Sequence, residues 1–178
     1  GRPMRLSTPR TALQHGIAMV YQELSGIGQL SVAENLFLGR QPLTRWGMVD
    51  WRTMQQRARE ELTQLDVDVD VRQPLRNFPL VVRQLVEIAR GLNSGARVLI
   101  LDEPTSALSP PEAKRLFAVM QRLRERGVAQ IFITHFLEDV LAICDRVTVL
   151  RDGKLVSSGP TKSFTRRTML DQMVGQAA

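Results

Sequence analysis

Between Arg97 and Ser109 the chain reads RVLILDEPTSALS, and no other stretch narrows the possible folds as much. Val98, Leu99, Ile100 and Leu101 form an apolar run too short for a helix and without the polar alternation of a half-solvated strand. The run therefore predicts a strand covered on both faces, as in a parallel α/β sheet. Asp102 and Glu103 close it, and Pro104 ends it because proline has no N–H to give a sheet ladder. In an open α/β sheet the C-terminal ends of strands face the ligand crevice, where an acidic pair suits holding Mg²⁺ and orienting a water for phosphoryl transfer. An acidic surface turn would account for the polarity of Asp102, Pro104 and Ser106, but not for the full stretch.

Composition removes other classes. The 178 residues are 43% hydrophobic, enough for one core and a length of about one to two domains. The longest apolar runs, five residues each at Ile17–Tyr21, Leu116–Met120 and Val140–Cys144, are far too short to cross a bilayer. The single cysteine, Cys144, leaves no pair for a disulfide within the chain and sits in an apolar helical stripe as a small core side chain. A net charge of +6 and a pI near 10.6 raise the question of polyanion binding. The arginines, however, are interspersed with acids, the only lysines are Lys114, Lys154 and Lys162, and 5% aromatics are too few for base stacking, so no nucleic-acid partner is expected.

In chain order, GRPMRLSTPRTALQHG reads as a strand end, a turn and a short helix capped near His15, followed by a strand at Ile17–Tyr21. Ser31 and Glu34 have capping-box spacing and predict a helix start. Gln41–Val49, with Pro42 and Gly47, reads as a loop. Asp50 caps a helix on which Trp51, Met54, Ala58, Leu62 and Leu65 recur as a core stripe. Asp66, Asp68 and Asp70 are spaced like the start of a calcium loop, but Val71 and Asn77 replace the glycine and glutamate such a loop needs. This segment is therefore expected to be a solvated connection.

A further helix carries Val81, Val82, Leu85, Val86, Ala89 and Leu92 on one face. Ser109-Pro110-Pro111-Glu112 starts another, with Leu116, Phe117, Val119, Met120 and Leu123 inward and Gly127 at its end. The strand Gln130–Thr134 completes a strand–helix–strand unit whose right-handed crossover brings His135 to the edge that carries Glu103. A helix at Phe136–Ile143, a hairpin of Arg146–Leu150 and Lys154–Ser157 around Asp152-Gly153, and a helix at Phe164–Val174 follow.

Several segments together resemble a known family. DEPTSAL after an apolar strand is similar to the Walker B segment and D-loop of ATP-binding cassette (ABC) ATPases. GIAMVYQELS at 16–25, SVAENLFLGR at 31–40, RQLVEIARGL at 83–92, FITHFLEDVLAICDRVTVLRDGK at 132–154 and QMVG at 172–175 resemble, in order and spacing, the N-terminal cassette of prokaryotic monosaccharide-importer ATPases. The resemblance implies a P-loop NTPase-like parallel sheet with an inserted helical subdomain, and ATP and Mg²⁺ as cofactors. It assigns Gln22 to the Q-loop as a Mg²⁺ ligand, Asp102 to Mg²⁺ through water, Glu103 to polarising the attacking water, and His135 to sensing the γ-phosphate. These four side chains are expected to converge on one nucleotide pocket. By the same resemblance, residues 1–29 are part of the catalytic subdomain, 30–95 the helical subdomain, and 96–178 the rest of the catalytic subdomain.

Two departures qualify the expectation. Where the family's LSxGQ signature contacts ATP held by an opposite cassette, this chain has Phe78, Pro79, Leu80, Val81 and Val82. Pro79 removes a hydroxyl and an N–H, and Val81 adds bulk where close backbone approach needs none, so the trans contact is expected to be weak. Secondly, no GxxxxGK[ST] phosphate loop occurs in the 178 residues. The chain is thus expected to be a cassette lacking its first strands and, by itself, a poor binder of ATP. The implied partners are membrane permease subunits, a second cassette and, indirectly, a periplasmic sugar-binding protein, at the cytoplasmic face of the inner membrane. The alternative is a truncated, catalytically inert cassette that serves only for docking.

Overall fold

In the computed structural model, which describes residues 5–175, the apolar run 98–102 is the middle strand of a three-stranded sheet. Two units are distinguished, Gly1–Ile131 and Phe132–Ala178. The first runs α1 (Pro9–Gln14), β1 (Ile17–Val20), α2 (Val32–Leu36), α3 (Trp51–Thr63), α4 (Leu80–Asn93), β2 (Val98–Asp102) and α5 (Pro110–Glu125), and ends within β3 (Ala129–Ile133). The strand end expected at the start of the chain falls on residues 1–4, outside the described range.

β1 and β2 pair in parallel, Ile17 opposite Val98 and Val20 opposite Leu101, in the order β1-β2-β3. At the start of β3 the Ala129 N–H donates to the Arg97 carbonyl at 2.9 Å. Burial alternates along β2: Leu99 and Leu101 are buried, whereas Val98 and Ile100 are partly open. The expectation of a strand covered on both faces is corrected here, because the side of β1 and β2 that is fully covered is the one bearing Ala18, Val20, Leu99 and Leu101. Gly91 of α4 allows the close approach. A Cβ at that position would lie 3.1 Å from the Ala18 Cβ and 3.2 Å from a Leu99 methyl. Each fully buried leucine of this layer contributes roughly 1.5–3 kcal/mol of transfer free energy.

The local signals hold at the helix starts. Ser31 and Glu34 form the reciprocal capping box of α2, Ser109 and Glu112 that of α5, and the Asp50 carboxylate accepts from Thr53 N at 3.0 Å to begin α3. His15 occupies the C-cap of α1 through its backbone N–H, not its ring. On α3, Met54, Ala58 and Leu62 are buried as expected, but Trp51 is exposed, being at the first turn where the stripe overruns the helix's contact face.

The acidic connection after α3 is only partly solvated. Val67 and Val71 are buried, Asp70 pairs with Arg72 at 2.9 Å, and Asp66, at φ 54°, pairs with Arg122 of α5. Arg115 also donates to the Asp66 carbonyl at 3.1 Å, so guanidinium groups from α5 satisfy carbonyls just past the end of α3.

The second unit contains α6 (Leu137–Ile143), β4 (Arg146–Arg151), β5 (Lys154–Pro160) and α7 (Arg166–Val174). β4 and β5 pair antiparallel around Asp152 and Gly153, whose φ values of 52° and 73° match the turn that the Asp-Gly pair predicts. Val140, Val147, Val149 and Met169 form its core, and Cys144 packs against them. Burial pushes the Cys144 thiol above its ordinary pKa, which keeps it an inert apolar side chain.

Candidate functional site

The site in the first unit is built where β1 and β2 end side by side. Beyond β1 come Tyr21 and Gln22; beyond β2 comes Glu103. Because the strands are parallel and in register, both loops leave the sheet at the same edge, and the Gln22 Nε2 donates to Glu103 Oε2 at 3.2 Å. The Gln22 Oε1, the atom able to ligate a cation, is not used in this hydrogen bond. Asp102 is the last residue of β2, partly buried, next to this pair.

Glu103 has φ 45°, in the left-handed region that non-glycine residues avoid at a cost of about 1–3 kcal/mol. The conformation is held by the turn that follows. The Glu103 carbonyl accepts from Ser106 N at 3.2 Å and from Ser106 Oγ at 2.9 Å. One residue on, the Pro104 carbonyl accepts from Gln84 Nε2 at 2.8 Å, in the buried space under the loop. Gln84 Oε1, also buried, has no hydrogen-bond partner among the described residues.

The loop after Gln22 is fixed to α4 and α2 with equal care. Ser25 Oγ donates to the buried Glu87 carboxylate at 3.2 Å and accepts from Arg90 at 2.5 Å. Asn35, 1% exposed, accepts from Ile27 N at 2.8 Å and donates to the carbonyls of Ile27, Leu30 and Ser31 at 3.0, 3.2 and 2.9 Å. One helix, α4, therefore anchors both loops, through Gln84 on one side and Glu87 with Arg90 on the other. Sequence reasoning did not single out Asn35, Glu87 or Arg90. The available signal was polar residues within otherwise apolar helical faces, at Asn35 on α2 and at Gln84 and Glu87 on α4.

Of the remaining expected site residues, Pro79 is the N-cap of α4 and provides no side-chain cap hydrogen bond, and Val81 is 3% exposed, its side chain in the core. His135 belongs to the second unit, its ring 4.2 Å from that of Phe136.

No group of three or more histidine, cysteine, aspartate or glutamate side chains suited to a metal occurs among the described residues. Mg²⁺ asks less of a protein than that: one or two carboxylates and a neutral oxygen, with phosphate and water completing the octahedron. Asp102 and the free Gln22 Oε1 fit this share. A cradle for the triphosphate does not occur in the sequence.

A parallel sheet, an acidic strand end and a glutamine loop hydrogen-bonded to it are the arrangement expected of a cassette, and residues 1–106 match the family described as ABC transporter. The chain belongs to that family. It is 46% identical over 177 residues to the Ribose import ATP-binding protein RbsA 2 of Rubrobacter xylanophilus, covering 99% of this chain and 34% of that protein. To the Ribose import ATP-binding protein RbsA of Lacticaseibacillus paracasei it is 39% identical over 176 residues, covering 99% and 35%. The chain thus spans about a third of the length of the curated relatives it matches.

Two solved structures place the fold. A crystal structure of an ATP-binding cassette of an ABC transporter in its ADP conformation superposes with a TM-score of 0.77 at 22% identity, over 94% of this chain and 72% of that one. A nucleotide-free ATP-binding cassette gives a TM-score of 0.73 at 23% identity, over 85% and 64%.

Proposed function

We propose that this chain is part of the ATP-binding subunit of an importer of ribose-like monosaccharides, and that the whole protein hydrolyses ATP to drive uptake. The observation that carries the reading is the Gln22–Glu103 hydrogen bond, which joins the glutamine loop to the carboxylate at the strand end. In this reading Asp102 and Gln22 hold Mg²⁺, which neutralises the phosphate charge when bound. Glu103 orients and polarises the attacking water, and His135 contacts the terminal phosphate. Residues upstream supply the phosphate cradle. Residues 30–95 act as the helical subdomain and the flanking segments, 1–29 and 96–178, as the catalytic one. The partners are permease subunits, a second cassette and, through the permease, a periplasmic sugar-binding protein, with the subunit peripheral at the cytoplasmic face of the inner membrane.

A docking-only role is the second reading, and Pro79 with the buried Val81 at the signature position favours it. Mg²⁺-dependent ATP binding and hydrolysis measured on this chain, and on the protein that includes the residues before it, separates the two. We expect weak binding by the chain alone and hydrolysis by the longer protein, abolished by Glu103→Gln. A longer protein that binds and hydrolyses no ATP refutes the motor reading and leaves docking.

A further inference from the structure

We propose that the turn between α2 and α3 is a membrane-surface contact that seats Trp46 and Met48 among anionic lipid headgroups. The segment is a small, preorganised hairpin. Leu43 bridges Val49, Thr44 N donates to Met48 O at 2.7 Å, Asp50 N to Pro42 O at 2.8 Å, and Gly47, at φ 77°, closes the turn with its N–H on Thr44 O at 3.0 Å. Its apolar side chains point outward although the turn could be entirely polar: Trp46 is 73% exposed, Met48 65%, Leu43 62%, and Trp51 beside it 52%. Isolated exposed hydrophobics are ordinary, but three on one short turn with a fourth at the start of the adjoining helix are not.

The charge pattern selects the occupant. Arg40, Arg45 and Arg52 are interspersed with these residues in the sequence, and the Arg45 guanidinium lies 4.9 Å over the Trp46 ring. The nearest acid in the segment, Asp50, is engaged as the cap of α3, accepting from Thr53 N and Thr53 Oγ1. Tryptophan with arginine is the pairing that suits the interface, where the ring lies at headgroup level and the guanidinium meets lipid phosphate. A stable protein interface needs roughly 800 Å² from each side, which a narrow turn does not offer, whereas insertion into headgroups needs only a tip.

The test uses the full chain and its own reporters. Its only two tryptophans, Trp46 and Trp51, both belong to the patch, so emission reads this surface alone. Titration with vesicles of phosphatidylglycerol and phosphatidylcholine is expected to shift emission to the blue and to expose it to quenching by brominated acyl chains. Trp51→Phe, with Trp46 as sole reporter, keeps the shift. Trp46→Ser is expected to weaken partition roughly tenfold and Arg45→Gln about fivefold, with added salt reducing binding in the same way. Unchanged emission on anionic vesicles overturns the proposal, as does equal binding to pure phosphatidylcholine or a shift seen only with detergent-solubilised permease. No nucleotide enters the assay, so its failure leaves the proposed ATPase role standing.

Discussion

Asn35→Ala tests how firmly the loop after Gln22 is built into the fold. Asn35 makes four hydrogen bonds with its side chain at 1% exposure, but the four losses are unequal. The Ile27, Leu30 and Ser31 carbonyls each keep a second donor, from Leu30 N at 3.1 Å, Leu75 N at 2.9 Å and Asn35 N at 3.0 Å respectively. The Ile27 N–H, by contrast, has only Asn35 Oδ1 as acceptor among the described contacts. Stranding it costs about 1 kcal/mol, since Ile27 stands near enough to solvent for water to relieve part of the loss, and the three weakened carbonyls add about 1 kcal/mol together. The expected loss is therefore about 2 kcal/mol, or roughly 6 °C in Tm for a chain of this size. Urea unfolding followed by circular dichroism measures the total, and amide exchange at Ile27 locates it. Asn35→Asp sharpens the reading, because it keeps the acceptor for Ile27 but turns its second oxygen toward three carbonyls, and should be the worse variant at neutral pH. A loss below about 0.5 kcal/mol for Asn35→Ala, with the Ile27 amide as protected as before, refutes the reasoning.

Two other perturbations follow from packing and burial. Gly91→Val pushes methyl groups into Ala18 and Leu99 and should destabilise by about 2 kcal/mol in urea titrations, whereas Gly91→Ala gains about 1 kcal/mol of helix propensity against a 3.1 Å contact and should come out near zero; a neutral valine removes the close-approach argument. Burial against the α3–α4 cavity pushes the Glu61 carboxyl up from 4.5 to about 7, despite the opposing charge of Arg57 and with a small addition from Glu60. Because the folded pKa is raised, this group's contribution is full below about 4.5 and is lost as the pH climbs through about 7. Glu61→Gln should then stabilise by about 1 kcal/mol at pH 8, a figure reduced because the group is half open to water, and by almost nothing at pH 4; an equal gain at both pH values counts against it.

Much of this architecture was legible before any coordinates. Short-range rules sufficed for the capping boxes at Ser31 and Ser109, the cap at Asp50, the Asp152-Gly153 hairpin and the strand at Val98, because each depends on residues within a few positions of one another. Most of what escaped depends on contacts across 50 residues or more, although Asn35, whose partners lie within eight positions, also went unread. Ser25 meets Glu87 and Arg90 only after α4 has packed on the sheet, and Asp66 meets Arg122 only after α5 has crossed it. Trp51 fits the core stripe by periodicity yet is exposed, because periodicity shows that a stripe exists, not where its covering partner stops. In the site, Glu103 follows from its place at the end of a buried strand and Gln22 from family resemblance alone, and their hydrogen bond follows from the parallel register of β1 and β2.

The left-handed backbone at Glu103 sets the carboxylate against the strand's own preference. Glycine at that spot would relax the main chain and remove the acid in one step. A thermal screen that selects only for persistence at high temperature would be drawn to that replacement, and its most robust survivors would be the ones stripped of chemistry.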